Sequence, residues 1–191
     1  HFGNRFRTVS LDFLGTGRSD HVHEWSDDWW LQGARQAKAL SDHLGYEKCT
    51  VMGTSGGAAS ALLMAIHFAG SVDAVIADSC VEFFSLAFTE QNVLPDRKRR
   101  TTGQIEFWKY ANGDDWEQVV DADTAMLLRF AKQGGDWFSG RLGEIHCPVL
   151  LTASKKDRDL PQIIEQNGRM AEQIPSCRLF INDRGSHPLM W

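Results

Sequence analysis

A serine, a carboxylate and a histidine can together perform acyl transfer, and this chain carries all three in suggestive places. Ser55 sits in Gly53-Thr54-Ser55-Gly56-Gly57, which fits the G-x-S-x-G pattern of a nucleophile elbow. A tight turn between a strand and a helix strains the serine backbone and pushes its hydroxyl out of the sheet. The residues two before and two after the serine then lie close together, so glycine is expected at both, because a Cβ there would clash. The helix that follows aims unpaired N–H groups at the reaction centre, and the N–H of Gly56 is placed to be one oxyanion donor. A free serine hydroxyl is a poor nucleophile. It needs a histidine to take its proton and a carboxylate to fix that histidine's tautomer and stabilise the imidazolium. The candidates are His187, in Gly185-Ser186-His187-Pro188, and Asp157, in Ser154-Lys155-Lys156-Asp157-Arg158-Asp159. Asp78, Asp159 and Asp183 are rival carboxylates in neighbouring turns, and an aspartate after a strand also serves as a simple cap.

These groups need elements to hold them. Arg5 to Asp12 reads as a strand that runs into the glycine-rich turn Phe13-Leu14-Gly15-Thr16-Gly17-Arg18-Ser19-Asp20. That turn has neither the lysine of a P-loop nor the third glycine of a dinucleotide fingerprint. His21 and His23 follow it in a loop that could line the pocket, although a solvated loop is the favoured reading. Ser26-Asp27-Asp28 reads as a helix cap with acidic residues on the positive end. The helix runs to about Leu44, with Trp30, Ala34, Ala37, Leu40 and Leu44 on one face, and Gly45 closes it. A buried strand to Met52, the elbow and a helix to about Ala69 come next, and then a strand over Val72 to Asp78. From Ser79 to about Gly143 strand signals vanish. Helical segments are expected near Phe83–Asn92, Gln104–Ala111 and Asp115–Gln133. An all-helical insertion between parallel strands usually sits over their C-terminal ends, where it can act as a lid. A strand over Cys147 to Ala153, a helix beginning at Leu160-Pro161 and a last strand over Cys177 to Asn182 complete the pattern. Alternating strands and helices predict an α/β fold, a mostly parallel sheet with helices on both faces. Residues 1–80 and 144–191 form the core and residues 81–143 the lid. Ser55, Asp157 and His187 each fall just past the end of a strand, where sites on open α/β sheets form.

The 191 residues are 42% hydrophobic, enough for one globular domain with a core. A formal net charge of -5 leaves no electrostatic footprint for nucleic acid. The basic run Arg97-Lys98-Arg99-Arg100 reads as a solvated helix end. No apolar stretch approaches the roughly 18 residues of a membrane span, and no signal peptide is visible. Cys49, Cys80, Cys147 and Cys177 have no C-x-x-C spacing, so no metal site is expected. They read as small buried hydrophobes in a reducing compartment, and a cytoplasmic location is expected. The aromatic residues concentrated in the insertion make Trp108 and Trp137 candidate substrate contacts.

Four blocks together resemble the α/β-hydrolase superfamily over essentially the whole chain. Asp12 through Ser19 resembles its D-x-x-G-x-G-x-S turn, Gly53 to Gly57 its elbow and Gly185-Ser186-His187 its G-x-H loop. Cys147 through Asp157, with Pro161 four residues later, resembles the strand and turn that carry the acid, and that spacing selects Asp157 over Asp159. The order Ser, Asp, His is also the family's. Phe107-Trp108-Lys109-Tyr110 and Trp116 through Phe130 are similar to the lid of the valacyclovir-hydrolase-like branch, whose members cleave small esters. The resemblance implies Ser55 as nucleophile, His187 as base and then acid, Asp157 as its orienting carboxylate, a small-molecule ester substrate and no cofactor. Serine at the elbow disfavours the epoxide hydrolases and haloalkane dehalogenases, which carry aspartate there. Carbon–carbon bond hydrolases or lyases use the same triad, and a ligand-binding protein on the same fold is the alternative without catalysis. The family also has strands before Arg5, a second oxyanion donor from a His-Gly-containing loop and a final helix after His187. The expectation is therefore that this sequence is part of a longer chain. Strands supplied by a second chain, or a degenerate inactive protein, are the alternatives. The oligomeric state is left open.

Overall fold

The computed structural model describes residues 2–190. Strands β1 (Cys49–Thr54), β2 (Val72–Asp78), β3 (Val149–Ser154) and β4 (Cys177–Asn182) form one parallel sheet in the order β1-β2-β3-β4. Helix α1 (Trp29–His43) leads into β1, α2 (Gly56–His67) joins β1 to β2, and α7 (Ile163–Gln173) joins β3 to β4. Between β2 and β3 lies the expected helical run. It comprises α3 (Leu86–Phe88), a π-helical stretch over Thr89–Val93, α4 (Leu94–Arg99), α5 (Thr102–Asn112) and α6 (Trp116–Lys132). No helix among the described residues is long and apolar enough to cross a membrane.

The core lies on one side of the sheet. Val75, Ala77, Val149 and Leu151 point to the same face and join the small and aliphatic residues of α2, Ala58 to Ile66, and Met170 of α7 in one cluster. The other face carries Met52 and Phe180, which are 44% and 54% exposed. Among the described residues the helices that pack on the strands share one face. The strand order explains this. Crossovers of one hand between strands added always in the same direction stay on the same side, and only a reversal of order sends a helix to the other.

Three local expectations are corrected. Residues 7–13 form no strand, and Arg5 to Ser10 are exposed. A strand exists through its ladder, and among the described residues β1 pairs with β2 alone, so none of them offers this segment a strand to lie beside. Asp28 does take the N-cap position of α1, but its side chain makes no capping bond. Its carboxylate accepts instead from Gln32 Nε2 at 2.9 Å, and Asp27 accepts from Arg129 Nε at 2.8 Å and Gln133 Nε2 at 2.7 Å. Charge-assisted bonds within α1 and to the C-terminal end of α6 replace the weaker local cap. Helix α7 begins at Ile163, so Pro161 lies in the turn before it. The basic run ends α4 as expected, and its three arginines are paired: Arg97 with Asp123 at 2.7 Å, Arg99 with Asp96, and Arg100 with Glu117 and Asp121 at 2.8 Å each.

Candidate active site

Ser55 follows β1 and precedes α2 with φ 53° and ψ −123°, outside the regions that L-residues favour. Such a conformation costs about 1–3 kcal/mol and persists because its surroundings over-determine it. The Ser55 N–H donates to the carbonyl of Asp78 at 2.8 Å, which ties the elbow to the end of β2. A Cβ on Gly53 would lie 2.1 Å from the carbonyl oxygen of Gly57, so the glycine before the serine is obligatory. The expectation for Gly57 is corrected: a Cβ there would meet nothing within 4 Å. The two positions approach through the Gly57 backbone, and its α-hydrogen side faces open space. As the first residues of α2, Gly56 and Gly57 have no intrahelical carbonyl for their N–H groups to reach.

His187 and Asp157 meet this serine. His187 Nε2 lies 3.0 Å from Ser55 Oγ, and His187 Nδ1 lies 2.8 Å from Asp157 Oδ2. The carboxylate selects the tautomer with its proton on Nδ1, so Ser55 Oγ–H donates to Nε2. The Asp157 side chain is fully buried and that of His187 is 14% exposed. Asp157 also caps its own turn, since its Oδ1 accepts from the N–H groups of Asp159 at 2.9 Å and Leu160 at 3.2 Å. One oxygen thus holds the loop and the other holds the imidazole. Asp159 and Asp183 are exposed. Asp78 is buried and serves elsewhere, because its carboxylate accepts from Thr152 Oγ1 and from the Met190 N–H. With Ser154 Oγ donating to the Gly185 carbonyl at 3.0 Å and Leu189 N–H donating to Ser79 Oγ at 2.9 Å, it pins the histidine loop across the ends of β2 and β3.

Above these residues opens a cavity of about 1080 Å³, and Trp108 and Trp137 are among the residues that line it. Trp108 stacks on Trp116 with ring centroids 5.5 Å apart, and Trp137 packs on Phe130 at 4.9 Å. Trp25, Trp29 and Trp30 also line the cavity, and sequence reasoning assigned none of them to the site. A signal was present. A helix joined by a short loop to the strand it precedes runs antiparallel to it, so its N-terminus lies level with the strand's C-terminal end, where the elbow is. Trp29 and Trp30 open α1 and therefore sit there.

His21 does not line the cavity. Its Nδ1 lies 2.7 Å from Asp115 Oδ2 and its Nε2 3.0 Å from the Gly17 carbonyl. The Gly17 N–H donates to Asn112 Oδ1 at 3.0 Å, so the glycine turn is fastened to the helical run. The bond to Asp115 raises the His21 pKa above its ordinary value. All four cysteines are free thiols. Burial pushes the Cys80 thiol up to about 12, which leaves it protonated and inert.

The known proteins with this architecture are numerous. NosK from Streptomyces actuosus superposes with a TM-score of 0.76 at 16% identity, over 96% of this chain and 79% of that one. 2-Hydroxy-6-oxo-6-phenylhexa-2,4-dienoate hydrolase from Rhodococcus sp. strain RHA1 gives a TM-score of 0.66 at 21% identity, over 92% and 71%. An esterase from Exiguobacterium antarcticum gives 0.64 at 19% identity, over 92% and 72%. At such identities the likeness speaks for the fold. The family model described as "Alpha/beta hydrolase family" matches residues 1–191. The chain therefore belongs to the alpha/beta hydrolase family and is an enzyme of the hydrolase class.

Proposed function

We propose that the protein is a serine hydrolase that cleaves a small or medium carboxylic ester, or an amide, through an acyl-enzyme. The observation that carries this reading is the continuous relay from Ser55 Oγ to His187 at 3.0 Å and from His187 to Asp157 at 2.8 Å. Ser55 Oγ attacks the carbonyl carbon while His187 Nε2 takes its proton. The carbonyl electron pair moves to oxygen, which the N–H of Gly56 stabilises. Collapse of this adduct expels the alcohol, which takes the proton from His187. Water then repeats the sequence on the acyl-enzyme and releases the acid. Asp157 stays ionised and orients the imidazole. Nothing in these steps calls for a cofactor. The helical run over residues 81–143 serves as the lid, and Trp108 and Trp137 offer flat apolar contacts to the substrate. The cavity is at the upper end of the usual range for small-molecule sites, which suits a bulky or extended ester.

The test is a fluorophosphonate probe read by intact mass, with a panel of p-nitrophenyl esters. One adduct, absent in Ser55→Ala, together with ester turnover supports the reading. No adduct on folded protein overturns it. An adduct without ester turnover moves the assignment to carbon–carbon bond hydrolysis or a lyase reaction on the same three residues.

A further inference from the structure

Helix α6 turns Val119, Asp123 and Leu127, each four residues from the last, towards the cavity, where all three are part of the wall. A carboxylate midway along an apolar stripe is costly unless something compensates it. Arg97 of α4, also part of the wall, supplies that compensation. Its Nη2 lies 2.7 Å from Asp123 Oδ2, and the two side chains are 30% and 24% exposed. The Arg97 guanidinium lies 6.0 Å from the centre of the Trp108 ring, so α4, α5 and α6 all hold the pair. The contact uses little of what the pair offers. A guanidinium has five N–H groups and a carboxylate two oxygens, and among the described residues neither side chain has another hydrogen-bond partner. Asp96 on the same wall is different, since it accepts from both Arg99 and Gln104 Nε2. The charged residues that line the cavity are Asp96, Asp123 and Asp159 against Arg97, Arg99 and Arg158, and they cancel.

We propose that the Arg97–Asp123 pair is a specificity site for an uncharged hydrogen-bonding group, a hydroxyl or an amide, which the ester substrate carries away from its scissile bond. This deepens the serine-hydrolase reading above and rests on it. The guanidinium donates to the oxygen of that group, and the carboxylate accepts its O–H or N–H. A charged group is rejected. A substrate carboxylate would have to draw Arg97 from Asp123, and a substrate cation would have to draw Asp123 from Arg97. Either leaves one half-buried charge uncompensated. The cavity of about 1080 Å³ has room for a chain that reaches from Ser55 to the helical run.

The test reads kcat/KM by pH-stat for two series of linear esters, one varied at the far end of a six-carbon acyl chain and one at the far end of a six-carbon alcohol. Each series ends in methyl, hydroxyl, carboxylate or trimethylammonium. In one series the wild-type protein is expected to favour the hydroxyl ending over each of the others by about 10-fold. Asp123→Asn leaves Arg97 uncompensated and is expected to raise the carboxylate ending relative to the hydroxyl by about 10-fold. Arg97→Met is expected to do the same for the trimethylammonium ending. These are ratios within one protein, so general damage to the helical run cancels. A wild-type preference for any other ending, or none, overturns the proposal and leaves the triad reading intact, even if neither variant folds. Variants in which all endings fall in proportion overturn it too, since a purely structural ion pair would behave so. Absence of turnover on every ester overturns it as well, and the fluorophosphonate adduct then tells whether the serine mechanism survives.

Discussion

Ser55 holds a strained backbone because two glycines and the start of a helix leave it no other course, and the two glycines do so unequally. Gly53→Ala drives a methyl group to 2.1 Å from a carbonyl oxygen, and it is expected to cost roughly 2–4 kcal/mol in urea denaturation. Gly57→Ala meets open space inside a helix. It is expected to leave stability within about 1 kcal/mol of wild type, on the favourable side. Equal losses from both would show that the elbow closes more tightly than this geometry. Asp157 is a second residue under two demands, since it holds both its own turn and the imidazole. Asp157→Asn keeps an acceptor for the turn but can present its amide N–H to His187 Nδ1, selecting the wrong tautomer. The expected outcome is a kcat lower by about 10³–10⁴-fold with little change in stability. Steady-state kinetics paired with a thermal melt separates the effects.

Elements are joined across the site by a few polar ties. The turn after Asp12 reaches the helical run through His21 and Asp115 and through Gly17 and Asn112. The sign of the first tie's pH dependence follows from the His21 pKa, which the Asp115 contact raises above 6.5. A raised folded value means that the stabilisation is fully present below the unfolded pKa and is lost as pH rises through the folded one. The Asp115 pKa is lowered by the same bond, so the pair persists into mildly acid solution. The difference in Tm between wild type and His21→Ala is therefore expected to be larger between pH ~5 and ~6.5 than at pH ~9. A difference independent of pH would mean that the ring acts by packing alone. Proton NMR of the His21 ring checks the titration directly.

At the scale of the whole molecule, the two faces of the sheet are not equivalent. Leu151 is fully buried beneath α2 and α7, whereas Phe180, on the opposite face, is 54% exposed. Leu151→Ala is expected to cost about 2–5 kcal/mol, as a cavity in a packed core does. Phe180→Ala removes a larger ring yet is expected to cost under about 1 kcal/mol, because most of its surface is already in water. Chemical denaturation of both variants measures the asymmetry. Similar losses would mean that the exposed face is covered in solution.

Much of this was legible in the residues. The strand–turn–helix around Ser55, the β2 and β4 segments and the long helix α6 follow from spacing rules that act within a few positions: two-residue and 3.6-residue periods, glycine where a Cβ cannot fit, and turns that end strands. The placement of Asp157 and His187 at strand ends followed from the same rules and the direction of a parallel sheet. The tertiary structure alone decided the rest. Arg5 to Asp12 reads as a strand locally, but a ladder needs a neighbour, and among the described residues β1 pairs only with β2. Asp27 reads as part of a cap, but Arg129, remote in sequence, takes its carboxylate. Trp30 reads as one apolar residue on a helix face, and only the crossing of α1 over α2 brings its nitrogen beside Gly56. Local sterics set which conformations a segment prefers. Which groups then meet depends on contacts between residues far apart in the chain, and a spacing rule carries no information about those.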